Sequence, residues 1–505
     1  MTKVIMVQGT SSDAGKSIIA TALCRIFKQD GYKVAPFKAQ NMALNAFVTV
    51  EGGEIGRAQA EQAEAAGIIP SVHMNPVLLK PEADSRSQII VHGKAVKTIS
   101  AALYHNYAPS LLGKVEESFN YLKERYDVIV IEGAGSPAEI NFKEKEIVNM
   151  RIAKMAGAPV LLVADIDRGG VFASLVGTLE LMSEDERRYF KGFIINKFRG
   201  DSSLLNPGIA FLEHKTGVPL LGIIPYFRDI SIAQEDSVFL DNRVTKSEGA
   251  DLDIAVIRLP RISNYDDFDP LEKNGGHIRY VNNKQELGNP HLIILPGTKS
   301  TISDLGFLKS SGLADQIKRL HHSGTPIIGI CGGYQMLGKQ ILDPGKIEGG
   351  NTRVAGLGLL DSITTFTPHK ATTQVKAVAI KGEGLLKGSE GLKLNGYEIH
   401  TGRTINKSDC NAFTITETPT GKTGYADGSI NRDSNVLGTY IHGIFHNAAF
   451  THRLLNNIRQ WRGLEQRNDA VTIDKEIEYD KLAQLVRQNL DMGKVYSILN
   501  EGLQG

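Results

Sequence analysis

Short apolar, β-branched runs recur through the first half of the chain, and longer stretches at helical spacing lie between them. The runs are Val4–Val7, Val34–Phe37, Val128–Ile131, Val160–Val163, Phe193–Ile195 and Leu220–Ile224. They are continuous rather than alternating, which suits strands buried on both faces of a parallel sheet. Between the first two, Ile19, Leu23, Ile26 and Phe27 fall at helical spacing and stop near Gly31. That is one βαβ unit, and its repetition predicts a doubly wound α/β domain.

A polar stretch from Gln234 to Ala250 breaks the pattern. It predicts a first domain over residues 1–235, a linker over 236–250 and a second domain over 251–505. The second domain restarts the α/β pattern with Ile254–Leu259, Leu292–Leu295 and Pro326–Ile330. From about Val354 to Thr439 the text is glycine-rich and alternating. Beyond Phe450 it is helical and charged, with Leu454, Leu455 and Ile458, then Leu482, Leu485 and Val486. This tail is placed with the second domain.

Composition narrows the class. A chain of 505 residues suits two or three domains. A net charge of +1 gives no global pull toward nucleic acid or acidic membranes. The cysteines, Cys24, Cys331 and Cys410, are too few and too odd for a disulfide framework, which points to a reducing compartment. No run of about 18 apolar residues predicts a membrane span. The first residues run straight into a glycine loop, and no signal peptide is expected. A cytoplasmic protein with no nucleic-acid or membrane partner is expected.

Two motifs carry chemistry. Val4–Val7 leads into Gly9-Thr10-Ser-Ser-Asp13-Ala-Gly15-Lys16-Ser17, and a helix follows. Strand, glycine loop and helix N-terminus are the context of a phosphate-binding Walker A loop. Backbone N–H groups and the helix dipole would face ATP phosphates, Lys16 would reach the β/γ-phosphates, and Ser17 would ligand Mg²⁺. The glycines are separated by five residues rather than the usual four. Glu132 ends an apolar run and suits a second Mg²⁺ ligand. Lys38, at another strand end, suits a phosphate, and Asn196 suits the base edge of the nucleotide. Asp167 could join the metal and Arg168 could hold a substrate carboxylate.

The second motif is Thr325-Pro-Ile-Ile-Gly-Ile-Cys331-Gly332-Gly-Tyr-Gln335. A buried strand runs into Cys331, small residues permit a sharp turn, and a helix departs, as in a nucleophile elbow. A thiol at a helix N-terminus favours the thiolate. Gly332 offers an N–H for an oxyanion, and Gly297, in the loop after Leu292–Leu295, offers a second. His442, in Thr439-Tyr-Ile-His442-Gly-Ile-Phe, is the leading base and His400 the second histidine of interest. Cys24 is expected in the core, and Cys410 in a loop or at the surface.

The stretch Gly329–Gln335 resembles the nucleophile motif of class I glutamine amidotransferases. The resemblance implies that Cys331 forms a glutamyl thioester, that His442 is its base, and that Gly297, Gly332 and Gln335 serve the oxyanion and glutamine. Most members of that class follow the histidine with Pro-Glu, and the Glu orients the imidazole. Here the residues are Gly443 and Ile444, so the resemblance implies a Cys–His dyad. The first half resembles dethiobiotin synthetase, which forms a mixed carboxylic–phosphoric anhydride. Longer strings resemble the cobyric acid synthase family: Pro36–Asn45, Glu132–Asn141, Ala164–Phe172, Asn196–Asp201 and Ile262–Pro270. That family amidates the b, d, e and g carboxylates of adenosylcobyrinic acid a,c-diamide with ATP and glutamine. The resemblance implies small-molecule substrates, Mg²⁺ with ATP, and cobalt that belongs to the corrinoid and not to the protein. Gln40 and Asn41, inside the first string, are candidates for substrate contact. The a,c-diamide synthase or another P-loop amidoligase is the alternative. A non-enzymatic switch ATPase would need neither the cysteine elbow nor these strings.

Overall fold

The apolar runs of the first half become six strands: β1 (Lys3–Gly9), β2 (Val34–Phe37), β3 (Val128–Glu132), β4 (Val160–Asp165), β5 (Phe190–Phe198) and β6 (Leu220–Pro225). In the computed structural model, which describes residues 2–83, 85–227, 229–230, 232, 249–406, 410–472 and 474–503, they form one parallel sheet. Its order is β6-β5-β4-β1-β3-β2. Alternate residues of each run bury into opposite layers. Ile5, Val7, Val128 and Val130 join one core, and Met6, Ile129 and Ile131 join the other. That double burial is why the runs are continuously apolar. Helix α1 (Lys16–Gln29) covers the first layer. Strand β1 lies between β3 and β4, so the chain order reverses at its carboxyl end. That is where open α/β sheets bind ligands. A smaller sheet of Gln40–Met42, Val77–Ala83, Arg86–Val91 and Lys94–Ser100, which the hydrophobic pattern did not announce, and helix α2 (Arg57–Ala65) belong to the same unit.

The chain forms two units. The first is Met1–Ala43, Glu54–Asp236 and Asp474–Gly505; the second is Leu44–Gly53 and Ser237–Ile473. The tail therefore does not belong with the second domain as its position suggested. Leu482, Ala483, Val486, Leu490, Val495 and Leu499 pack in the core that holds Ile5, Val7, Leu23 and Phe27. The buried Arg25 of α1 pairs with Glu476 and Asp480 at 2.7 Å each. An apolar stripe shows that a helix needs a core, not which core. Of the linker expected at 236–250, all but Gly249 and Ala250 lies outside the described residues. Leu482→Ala should destabilise the first unit by about 2–5 kcal/mol in denaturant unfolding. The exposed Lys481→Ala should cost less than about 1 kcal/mol. Equal, small effects would remove the tail from that core.

The second unit repeats the logic. Strands β7 (Leu252–Ile257), β8 (Gly276–Val281), β9 (Leu292–Leu295) and β10 (Ile327–Ile330) are parallel. A long antiparallel pair, β11 (Ser362–Ala379) and β12 (Lys393–Asn406), anchors a second sheet. Strands β13 (Ser429–Ile430) and β14 (Val436–Thr439) then complete the first, in the order β8-β7-β9-β10-β14-β13. Only the β13–β14 pairing in it is antiparallel. Both units are α/β. Among the described residues, no helix is long and apolar enough to cross a membrane.

Candidate active sites

In the first unit the loop from Gly9 to Ser17 leaves β1 and enters α1. Thr10 N–H donates to Val163 O at 2.9 Å, tying the loop to β4. Gly15 has φ +104°, and a Cβ there would come within 1.9 Å of Asn196 Nδ2. Only glycine suits both the backbone and the contact. Asn196 itself donates to Ala14 O at 3.0 Å, so its amide braces the loop's backbone. Lys16 lies over Gly9, and its Nζ donates to Ser11 O at 2.8 Å and Gly135 O at 3.1 Å. The ammonium thus sits inside the curl of the loop.

Glu132 is the hub of this site. Its carboxylate is buried, and Oε1 accepts from Ser17 Oγ and from Lys38 Nζ, each at 2.9 Å. Oε2 accepts from Gln62, with Gln59 at 3.5 Å. Burial alone would push this carboxyl up; the Lys38 ammonium and the hydrogen bonds of Lys38, Gln62 and Ser17 outweigh it and hold the group below the ordinary range. Glu132 is thereby kept anionic. Gln59 and Gln62 went unseen in the sequence, although their i, i+3 spacing on α2 puts both on one face. Helix α2 is fixed in turn by Lys475 of the tail, whose Nζ lies 2.9 Å from Glu61 and 2.6 Å from Glu64. Asn41 Nδ2 donates to Gln59 Oε1 at 2.9 Å, and Gln40 Oε1 accepts from Tyr104.

Asp167 and Arg168 make ion pairs of their own. Asp167 pairs with Arg199 at 2.9 Å, and the Arg199 guanidinium covers the Tyr226 ring. Arg168 pairs with Asp13 at 3.1 Å, and Asp13 also meets Lys197. The Asp167–Arg199 and Arg168–Asp13 pairs are exposed. Among the described residues, no group of three or more His, Cys, Asp or Glu side chains could hold a metal ion.

In the second unit, Cys331 follows β10 with φ +51° and ψ −108°. A non-glycine residue is rarely held there, and such strain clusters at functional turns. Cys331 N–H donates to Thr439 O at 2.8 Å, and the helix Gly332–Leu337 follows immediately. Parallel pairing sets Ile330 beside Thr439, so the chain leaves β10 toward Cys331 and leaves β14 toward His442 from neighbouring strand ends. A Cβ on Gly297 would come within 2.8 Å of His442 Cε1. The loop after β9, the elbow and the imidazole therefore converge.

His442 has a carboxylate partner. Its Nδ1 lies 2.7 Å from Asp267 Oδ2, and Asp267 Oδ1 accepts from Gly443 N–H at 2.7 Å. The imidazole also stacks on the Tyr397 ring, with centroids 5.3 Å apart. The reading of a Cys–His dyad is thus corrected: a third group orients His442. It was missed because the class I motif places that group two residues after the histidine. Here it comes from the turn Tyr265–Phe268, inside the string Ile262–Pro270. Burial acts to lower the His442 pKa, but the charge and hydrogen bond of Asp267, with a contribution from Cys331, raise it to about 10. His442 Nε2 makes no hydrogen bond among the described residues.

Gln335 is buried behind the elbow. Its Oε1 accepts from Thr301 Oγ1 at 2.9 Å, and its Nε2 donates to Thr401 O at 3.0 Å and Tyr440 OH at 3.1 Å. It braces the elbow helix against β12. His400 stacks on Tyr440 with centroids 3.7 Å apart, and burial lowers its pKa to about 4, leaving it neutral. Cys24 is buried in α1, and Cys410 is partly exposed.

Residues 5–238 match the CobQ/CobB/MinD/ParA nucleotide binding domain, and residues 253–450 match the CobB/CobQ-like glutamine amidotransferase domain. Cobyric acid synthase of Dehalococcoides mccartyi strain CBDB1 is 62% identical over 504 residues, which cover 100% of both chains. The cobyric acid synthase of Thermoanaerobacter sp. strain X514 is 49% identical, with 98% of each chain covered. That of Moorella thermoacetica is 50% identical, with 99% of this chain and 98% of the relative covered. Identity on this scale, running through both nucleotide-binding and amidotransferase halves, decides the family: the chain belongs to the cobyric acid synthases.

Proposed function

We propose that this protein converts the b, d, e and g carboxylates of adenosylcobyrinic acid a,c-diamide to amides, using one ATP and one glutamine for each. The observation that carries the reading is that a single chain holds a phosphate loop beside an anionic Glu132 and a cysteine elbow beside a carboxylate-oriented His442.

A carboxylate resists attack by ammonia because it is anionic and lacks a leaving group. In the first unit the substrate carboxylate attacks the γ-phosphorus of ATP, ADP leaves, and an acyl phosphate forms. Lys16 and Lys38 stabilise the transferring charge. Ser17 Oγ and Glu132 Oε1 are hard oxygen donors 2.9 Å apart, a set that suits Mg²⁺ together with phosphate oxygens. Bound there, Mg²⁺ would neutralise phosphate charge. In the second unit Cys331 Sγ attacks the amide carbon of glutamine. The N–H groups of Gly332 and Gly297 receive the oxyanion, and His442 protonates the departing ammonia. His442 then takes a proton from water, which hydrolyses the thioester to glutamate. Ammonia attacks the acyl carbon, phosphate leaves, and the amide forms once a proton is lost.

Incubation with the a,c-diamide, ATP and glutamine, followed by mass spectrometry, should show four successive amidations. No steps on this acid, with turnover on another, would overturn the reading. Lys16→Ala should lower ATP-dependent amidation at least about 100-fold with either glutamine or ammonia as nitrogen source. Persistent product would remove Lys16 from phosphate chemistry.

A further inference from the structure

The mechanism leaves much of the string Pro36–Asn45 unused. Within it the chain passes from the first unit to the second, between Ala43 and Leu44. On the first side, Asn41 bonds Gln59, and Gln59 reaches toward Glu132. On the second side, four residues on, Asn45 is fully buried and its Oδ1 accepts from Tyr265 N–H at 3.2 Å. Ala46 O accepts from Asn264 Nδ2 at 2.8 Å. The same amide nitrogen donates to Tyr397 OH at 2.6 Å. Val48 O accepts from Gln374 Nε2 at 2.9 Å, which fastens the far end of the strip to β11.

These contacts converge on the triad. Asn264, with φ +53°, opens the turn that carries Asp267. Tyr397 stacks on the imidazole, and its backbone N–H and C=O bond those of His442 at 3.1 and 2.9 Å. One carboxamide thus ties the strip to both supports of His442, the Asp267 turn and the Tyr397 ring. A triad tolerates little displacement, since errors of about 1 Å cost on the order of 100-fold in rate.

We propose that Asn45, Ala46, Asn264 and Tyr397 are positioning groups for the His442–Asp267 pair. This rests on the function proposed above. A loop drawn from the synthetase half of the sequence therefore completes the glutaminase.

The test uses the full-length protein and the variants Asn45→Ala and Tyr397→Phe. Glutaminase turnover is measured alongside amidation driven by ammonia. Each variant should lower the glutaminase kcat about tenfold, with little change in KM for glutamine. Ammonia-driven amidation should stay within about twofold. Tyr397→Phe keeps the ring on His442 and removes only the hydroxyl, so it decides the matter if Asn45→Ala disturbs folding. Unchanged kcat in Tyr397→Phe would overturn the positioning role. Absence of ammonia-driven amidation in the unsubstituted protein would instead refute the proposed function.

Discussion

Replacing Cys331 with alanine is expected to abolish amidation from glutamine, by about 10⁴-fold or more, while amidation from added ammonia continues at its normal rate. The reasoning is separation of labour. The sulfur is the only atom of the elbow that forms a bond to glutamine, whereas acyl phosphate chemistry draws on Lys16, Ser17, Lys38 and Glu132, all in the first unit. Side-by-side assays with glutamine and with ammonium at raised pH, read as amidated corrinoid, separate the outcomes. Loss of both activities would mean that the elbow also serves the synthetase, and the two-site mechanism would fall.

Asp267→Asn should come next in size, lowering glutamine-dependent turnover by about 10²–10⁴-fold with ammonia-dependent turnover unchanged. Asparagine keeps the shape of the side chain but removes the charge that holds His442 up at about 10 against its burial. The imidazole should then lose its proton at a lower pH, and its Nδ1 can be offered an amide N–H in place of a carboxylate, which reverses the tautomer. The pH dependence of Cys331 alkylation reads the first effect, because an imidazolium is the counter-ion a thiolate nucleophile uses. A variant that keeps wild-type turnover and an unshifted profile would return the site to a two-residue arrangement.

Legibility followed the range of the interactions. Strand β2 and strand β9 coincide with their apolar runs residue for residue, because burial on both faces leaves an unbroken signature. The phosphate loop and the elbow were visible because each packs its chemistry into a few adjacent positions. Strand order was hidden, since β1, β3 and β4 are apolar in the same way and nothing in their composition says which neighbours which. Asp267 was hidden for a related reason. Its partner His442 lies 175 positions away, and an aspartate in an acidic turn looks like any solvated one until the fold closes. Gln59 and Gln62 were overlooked because a polar helix face normally meets water, and here it meets a buried carboxylate. The tail was misassigned by assuming that neighbours in sequence are neighbours in space.

That tail bears on the order in which a nascent chain can mature. The ribosome delivers the phosphate loop first, yet the layer beneath α1 lacks Leu482, Val486, Val495 and Leu499 until the last helices emerge. By then every residue of the cysteine unit has already been made. The ammonia-producing half can therefore consolidate while the half that consumes ammonia still has an open hydrophobic face. Synthesis that stops short of the final helices would leave an ammonia source with no finished acceptor site.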